Sequence, residues 1–227
     1  MYGIRGGEKV KPSVLLIGGG GHAKSVIDTL IHSNELEIVG IIDVKEKVGE
    51  EISGIKVIGT DADLPSYYAK GIRYAFISLG SIGIPNARIK LYHKLKKIGF
   101  SFPNIIDPTA ILAENIQFGV GNFIGKGVII NTTTTIGDHC IINTGSIIEH
   151  DCNIENFIHL GPRSILCGGV QIGENSHIGA SATILQYKKV GSNSIIGAGS
   201  LVNKDIPTYQ TAYGIPCRII EKIGGKI

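Results

Sequence analysis

The chain has 227 residues, of which 43% are hydrophobic and 32 are glycines, and it contains no tryptophan. So many glycines favour a fold with many tight turns and argue against a helical bundle. The net charge is only +3, with acidic and basic residues interspersed, which argues against a nucleic-acid-binding protein. No apolar run reaches the length of a membrane span and the first residues lack the apolar core of a signal peptide, so a cytoplasmic protein is predicted.

Residues 13–103 alternate between strand-like and helix-like segments. Alternation of this kind predicts parallel strands joined by right-handed helical crossovers. The result is a small three-layer α/β domain. The strands are expected at 14–17, 38–42, 56–58 and 74–79, and the helices at 22–31 and 85–98.

A glycine-rich loop, 18–23, fits the pattern G-x-G-x-x-A between the first strand and the first helix. Backbone N–H groups at such a helix N-terminus favour a phosphate, and Asp43, at the end of the second strand, is placed to hold a ribose hydroxyl or a base edge. NAD binding is the simplest interpretation of these residues alone. Against it, the α/β domain is about half the size of a full dinucleotide-binding fold.

From Leu112 onward the sequence has a period of six. Sixteen consecutive hexads begin with an aliphatic or aromatic residue without a slip, up to Val202. Position two is often glycine and position five is mostly small or β-branched. This is the hexapeptide repeat of a left-handed parallel β-helix, in which three hexads form one coil and residues 18 apart stack on each other.

The β-helix domain is expected over 104–207, with about five coils and a C-terminal cap over 208–227. The stretch "ILQYKK" departs from the small-residue rule at Leu185 and Lys188. We therefore expect this coil to be distorted or to loop out.

The stretch "IEHDC" places His150 between Glu149 and Asp151 at the third, outward-facing position of its hexad. An outward histidine on a β-helix is often a plain surface residue. A carboxylate beside an imidazole, however, fixes its tautomer and raises its basicity, which a general base needs. The sequence by itself does not choose between Glu149 and Asp151, and a second histidine, His159, follows half a coil later.

Two other chemistries compete for these residues. A zinc site between subunits would use three histidines, drawn from His150, His159 and either His139 or His177, but their spacing does not favour it, and no metal is expected. The cysteines show no CxxC spacing, and those beside His150 fall at interior or turn positions, so neither zinc binding nor a covalent thiol intermediate is expected.

Together the segments "GGGGHAKSVID", the hexads, "INTGSIIEHDCNIENFIHLGP" and "YGIPCR" resemble the sialic acid O-acetyltransferase (NeuD) family of sugar acyltransferases. Bacterial PglD-like N-acetyltransferases, which act on UDP- or GDP-linked 4-amino-sugars, belong to this family. The resemblance extends from about Val14 to Arg218. It implies that acetyl-CoA is the co-substrate and that the β-helices associate as a homotrimer with active sites between subunits.

The resemblance also implies roles for individual residues. It makes His150 the catalytic base and Asp151 the acid that modulates it, while His159, Ala180 and Ala198 contact acetyl-CoA. Gly168, which the 18-residue spacing stacks above His150, is our candidate for a backbone donor to the oxyanion. The family's contacts to the nucleotide-sugar match Gly20, Gly21, His22, Asp43 and Gly80.

The expected function is therefore N-acetylation of a nucleotide-linked 4-amino-4,6-dideoxy sugar, by direct attack of the amine on the thioester. The alternatives are O-acetylation of a sugar such as sialic acid, or a non-catalytic regulator that binds a nucleotide-sugar or NAD. Apolar residues at the outward sixth position agree with a self-association surface: Ile129, Ile147, Ile165 and Ile195.

Overall fold

The computed structural model describes residues 4–5, 8–9 and 11–223. Its described part forms two compact units. One holds the residues up to Gly80 together with Lys90–Pro103, and the other holds Ser81–Ile89 together with the residues from Asn104 on. Residues 81–89 thus group with the second unit, whereas the predicted boundary at 103 places them in the first.

The first unit contains a five-stranded sheet in the order β5-β6-β4-β3-β7. Strand β3 pairs in parallel with β4 and β7, and β4 pairs in parallel with β6. The short β5 pairs antiparallel with β6 and was not predicted. The strands in chain order are β1 Ile4–Arg5, β2 Glu8–Lys9, β3 Ser13–Ile17, β4 Glu37–Ile42, β5 Glu51–Ile52, β6 Ile55–Gly59 and β7 Tyr74–Ile77.

Three α-helices accompany these strands: α1 Gly21–Ser33, α2 Leu64–Ala69 and α3 Asn86–Ile98. A 3-10 turn spans Lys45–Lys47. Helix α1 buries Val26, Ile27 and Leu30, the face that its spacing predicts, and it ends at Asn34, whose left-handed backbone lets its N–H bond to the Leu30 carbonyl. The six-residue α2 was not predicted, because its apolar pattern is too short to show a period.

The second unit is the predicted β-helix, and the fold class is confirmed. Seventeen two-residue strands form three faces. The first face contains β8 Ile105–Ile106, β11 Phe123–Ile124, β14 Ile141–Ile142, β17 His159–Leu160, β20 His177–Ile178 and β23 Ile195–Ile196. The second contains β9 Ile111–Leu112, β12 Ile129–Ile130, β15 Ile147–Ile148, β18 Ile165–Leu166, β21 Thr183–Ile184 and β24 Leu201–Val202. The third contains β10 Gln117–Phe118, β13 Thr135–Ile136, β16 Asn153–Ile154, β19 Gln171–Ile172 and β22 Lys189–Val190.

Residues 18 apart pair in parallel along each face, as Ile129 pairs with Ile147 and Ile147 with Ile165. From Ile124 on, the first residues of the hexads are buried and fill the interior of the prism, while Leu112 and Phe118 are partly buried at its start. Small residues at position five are also inside, and the hydroxyl of Ser164 donates to that of Ser146 at 3.2 Å.

The coil that contains "ILQYKK" does not loop out, so that prediction was wrong. Gln171 pairs with Lys189, and Val190 is buried in the prism six residues after Ile184. Tyr187 turns the corner with a left-handed backbone, φ 58°, as other residues do at the same hexad position. Leu185 and Lys188 are half-buried, and the ring of Tyr187 is mostly exposed.

The C-terminal segment closes the prism. Strand β25 Gln210–Tyr213 extends the first face in parallel with β23, and β26 Arg218–Lys222 folds back antiparallel on it. Ala212 and Cys217 are buried in the core of the β-helix. The last four residues of the predicted cap, 224–227, lie outside the described residues. No helix within residues 11–223 is long and apolar enough to cross a membrane.

Candidate active site

His150 lies at the corner between the second and third faces of the β-helix, in the turn after β15. Half of its side-chain surface is exposed, and its Nδ1 lies 2.8 Å from Oδ2 of Asp151. Asp151 takes the left-handed conformation of the corner, φ 61°, which turns its carboxylate toward the preceding imidazole. The turn geometry of the hexad thus creates the His–Asp contact between adjacent residues.

The Asp151 carboxylate is held in its ionised form. A hydrogen bond from the Thr133 hydroxyl, one coil below, and the contact with His150 both lower the pKa of Asp151 below its usual value. An ionised carboxylate accepts only, so Nδ1 of His150 is the donor in this contact. Nε2 is then the nitrogen that can accept a proton.

Glu149, the other acid beside His150, has a different partner. Its Oε2 accepts a hydrogen bond from the side-chain amide of Asn131 at 2.9 Å, again one coil below. The sequence left open which of the two acids contacts the imidazole. In the structure Asp151 contacts it, and Glu149 is hydrogen-bonded to Asn131.

Gly168 lies against the imidazole of His150, as the 18-residue spacing predicts. A Cβ added to Gly168 would lie 2.7 Å from Cε1 and Nε2 of the ring, so only glycine allows the ring to rest there. In the part of the chain that the structure describes, the N–H of Gly168 donates no hydrogen bond. This N–H is therefore a donor that the described residues leave unused, in the turn against which the His150 ring lies.

His159 lies on the first face and does not share the corner of His150. Its Nδ1 lies 2.6 Å from the carbonyl oxygen of Ser81, and its Nε2 lies 3.5 Å from the side-chain amide of Asn143. The ring of His177 packs edge-on against it with centroids 4.8 Å apart. Burial first, then His177, lowers the pKa of His159 to about 4.

A neutral His159 must donate from Nδ1 to the Ser81 carbonyl, because a carbonyl oxygen only accepts. Nε2 is then an acceptor that faces the Asn143 amide. The environment therefore fixes one tautomer of His159 and keeps it uncharged at neutral pH.

Ala180 and Ala198 lie at the corner between the first and second faces, in successive coils. They are 18 residues apart, and the N–H of Gly199 donates to the carbonyl of Ala180 at 2.8 Å. Ala180 is half-buried and Ala198 is exposed. Both side chains are single methyl groups, so this corner carries no bulky side chain at either position.

The thiols near His150 are poor nucleophiles. Burial raises the pKa of Cys152 to about 11, and burial also raises the pKa of Cys167. A thiolate is the reactive form of cysteine, so neither residue is suited to carry an acyl group. Within the described residues, no group of three or more His, Cys, Asp or Glu side chains is arranged to hold a metal ion.

In the first unit, the structure brings the glycine-rich loop to Asp43. The N–H of Gly19 donates to Oδ2 of Asp43 at 2.7 Å, and Lys47 binds the same oxygen at 3.0 Å. Partial burial raises the pKa of Asp43, but hydrogen bonds from the Val44 N–H, Lys47 and the Gly19 N–H outweigh it and lower the pKa overall. Asp43 is therefore a fixed carboxylate at the end of β4.

His22 and Gly80 are also in contact, since a Cβ on Gly80 would lie 3.1 Å from Cβ of His22. Gly20 and Gly21 have no atom within 4 Å of a built Cβ, apart from their own neighbours. They leave open space at the N-terminus of α1, where backbone N–H groups favour an anion.

Comparison with known proteins shows to which family the chain belongs. The PglD N-terminal domain matches residues 13–95, and the bacterial transferase hexapeptide (six repeats) matches residues 151–186. Perosamine N-acetyltransferase from Caulobacter crescentus, in a complex with CoA and GDP-perosamine, has a TM-score of 0.87 and 37% identity over 92% of this chain and 97% of that chain. The chain belongs to the PglD-like sugar N-acetyltransferase family. The predicted family of acyltransferases is confirmed.

Two further relatives extend the comparison. The acetyltransferase domain of PglB from Neisseria gonorrhoeae, in complex with acetyl coenzyme A, has a TM-score of 0.84 and 27% identity, over 93% of this chain and 100% of that chain. An uncharacterized protein of Acanthamoeba polyphaga mimivirus is 32% identical over 125 residues, 55% of this chain. The chain covers only 24% of that viral protein.

Sequence reasoning missed several residues around the site of this PglD-like chain. Thr133 lies 18 residues before Asp151, and Asn131 lies 18 before Glu149, so the coil spacing was sufficient to find both. No sequence signal places Ser81 against His159, because they are 78 residues apart and belong to segments with different periods.

Proposed function

We propose that this chain is an acetyl-CoA-dependent N-acetyltransferase that acts on the amine of a nucleotide-linked 4-amino-4,6-dideoxy sugar. The observation that carries the proposal is the contact of His150 Nδ1 with the ionised Asp151, beside Gly168, whose N–H donates no hydrogen bond within the described residues. The structural relatives support the substrates, because one binds CoA with GDP-perosamine and another binds acetyl coenzyme A.

The reaction follows from the free Nε2 of His150. The acceptor nitrogen attacks the thioester carbonyl carbon while Nε2 takes a proton from it, and a C–N bond forms. The tetrahedral intermediate then breaks its C–S bond, and the proton passes from His150 to the leaving thiolate. Asp151 stabilises the imidazolium that exists between these two steps.

The oxyanion of the intermediate needs a preorganised donor. The Gly168 N–H is our candidate, since it lies in the turn on which the His150 ring rests. No covalent enzyme intermediate is required, in agreement with the raised pKa values of Cys152 and Cys167.

The coenzyme is assigned to His159, Ala180 and Ala198. Open backbone at the corner of the two alanines suits an extended chain such as pantetheine. His159 is neutral and accepts at Nε2, so it brings no positive charge to the place proposed for the thioester. The imidazole is held in place because its Nδ1–H donates a hydrogen bond to the Ser81 carbonyl.

The nucleotide-sugar is assigned to Gly20, Gly21, His22, Asp43 and Gly80. The open N-terminus of α1 suits the diphosphate, and the fixed Asp43 carboxylate suits a ribose hydroxyl or a base edge. GDP-perosamine, the ligand of the Caulobacter relative, is the first acceptor to test.

A homotrimer is part of the proposal. Ile111, Ile129, Ile147 and Ile165 form a ladder on the outside of the second face, and Ile111 is 64% exposed. Ile195 does not belong to this surface, because Gly83 lies against it. A cytoplasmic location remains a prediction.

The proposal is tested by measuring thiol release from acetyl-CoA with a panel of acceptors. The panel contains GDP-, UDP- and dTDP-linked 4-amino-sugars, with sialic acid alongside. We expect release with an amino-sugar nucleotide and a gain of 42 Da in that acceptor by mass spectrometry, the mass of an acetyl group in place of a hydrogen. Release with sialic acid alone would replace the proposal by O-acetylation, and nucleotide-sugar binding without release from any acceptor would favour the regulator.

A further inference from the structure

Two aromatic rings rest on two consecutive glycines at the corner of His150. The imidazole of His150 lies against Gly168, and the phenol ring of Tyr187, from the coil above, lies against Gly169. A Cβ on Gly169 would be 2.5 Å from Cδ1 and 2.7 Å from Cε1 of the tyrosine. Neighbouring Cα atoms are about 3.8 Å apart, so the two rings share one small patch of surface.

Backbone hydrogen bonds link the three successive coils at this corner. The Gly169 N–H donates to the His150 carbonyl, and the Tyr187 N–H donates to the Gly168 carbonyl, both at 2.9 Å. The position of Tyr187 relative to His150 is therefore set by successive hydrogen bonds, and Gly169 lets the ring lie down on the turn below.

Packing in the interior of the prism does not explain an aromatic residue here. The Tyr187 side chain lies outside the prism, and the residue is 71% exposed. The corner requires a left-handed backbone, but Asp151 and Thr133 satisfy the same requirement in the coils below. A large, mostly exposed ring held beside a reactive histidine is available to a ligand.

The corner on which Tyr187 lies indicates which ligand it meets. Tyr187 shares the corner of the second and third faces with His150, whereas Ala180 and Ala198 lie along the corner of the first and second faces. An acceptor amine must come within about 2.6–3.2 Å of Nε2 to lose its proton to it. The ring that bears this amine then extends over the patch that the tyrosine borders.

We propose that Tyr187 is a specificity-determining residue that binds the acceptor sugar through the face of its phenol ring. The inference rests on the proposed function. A deoxygenated pyranose presents C–H groups and a methyl group on its apolar side, and an aromatic face is the complementary surface.

The test is steady-state kinetics of Tyr187→Ala and Tyr187→Phe, with acetyl-CoA and the amino-sugar nucleotide varied in turn. We expect Tyr187→Ala to raise KM for the sugar nucleotide about tenfold, with KM for acetyl-CoA changed less than twofold, and Tyr187→Phe to stay near wild type because it retains the ring. Tyr209→Ala is the matched control, since Tyr209 is 48% exposed at another corner with φ 60°.

A second measurement separates the sugar from the nucleotide. The nucleoside diphosphate without its sugar is used as a competitive inhibitor, and its inhibition constant should be the same in wild type and Tyr187→Ala. An increase in that constant, an increase in KM for acetyl-CoA, or unchanged KM for both substrates would overturn the proposal. A change in the sedimentation mass of Tyr187→Ala would also overturn it, in favour of a role in self-association.

Failure of the proposed function is distinguishable from failure of this inference. If wild type acetylates no acceptor, calorimetry still compares the sugar nucleotide with its nucleoside diphosphate. We expect Tyr187→Ala to weaken only the former, and equal weakening of both would reject a contact with the sugar.

Discussion

His150 and His159 are nine residues apart in one β-helix, yet their surroundings are of opposite kinds. His150 lies at an exposed corner and contacts an ionised carboxylate. His159 lies on a covered face, contacts a backbone carbonyl and packs on a second histidine. Both rings donate from Nδ1, so the difference lies in what happens when Nε2 takes a proton.

Nδ1 of His150 contacts the Asp151 carboxylate in an exposed site, whereas protonation of His159 would place a charge in a buried site beside His177. The comparison teaches that the repeat by itself does not decide the surroundings of a histidine. The corner turns the neighbouring acid toward His150, and the covering segment 81–89 keeps His159 neutral. Three substitutions test this contrast.

Removal of the base should have the largest effect. We expect His150→Ala to lower kcat by roughly 10²–10⁴-fold, the usual contribution of a general base, because no other group beside the acceptor takes its proton. The measurement is thiol release with saturating substrates. Circular dichroism and sedimentation should match wild type, and turnover within a few-fold of wild type would refute His150 as the base.

Removal of the carboxylate charge should have a smaller effect. We expect Asp151→Asn to lower kcat by roughly tenfold, since the pair is exposed and water replaces part of the stabilisation of the imidazolium. Glu149→Gln is the matched control, because it removes a charge next to His150 without a contact to the ring. Equal losses in the two variants would show that only net charge matters.

The smallest expected effect concerns stability and pH. The folded pKa of His159, about 4, lies below its unfolded value of about 6.5, so the unfolded state binds more protons between these values. The stability of the wild type is then fully present above pH 6.5 and falls as the pH drops toward 4. The lowered pKa of His177 acts in the same direction.

We expect His159→Gln to lose less of its Tm than wild type on acidification from pH 7.5 to 4.5, by roughly 3–6 °C, corresponding to about 2 kcal/mol or less. Differential scanning calorimetry of both proteins measures this. The exposed His93→Gln should behave as wild type, and an identical acid loss in His159→Gln would show that His159 is not the group that titrates.

The N-terminal loop and the β-helix corner also differ in how far the sequence predicts them. The loop needed only local information, because a strand, glycines and a helix follow one another, and Asp43 bonds to Gly19 at the expected end of β4. The "ILQYKK" coil was mispredicted because the size of a side chain does not show how far it enters the prism. Leu185 and Lys188 are only half-buried, and the strands on either side of them keep their pairing.

The sequence by itself determined the two periods, hence the α/β domain and the β-helix, and through the 18-residue spacing it determined the contact of His150 with Gly168. These features repeat along the chain, and a repeat converts sequence distance into spatial distance. Only the tertiary structure decided that Asp151 and not Glu149 meets the imidazole, and that Ser81 fixes the tautomer of His159. The first depends on the direction in which the corner turns the two acids, and the second on a contact between segments 78 residues apart, which no local pattern of residues shows.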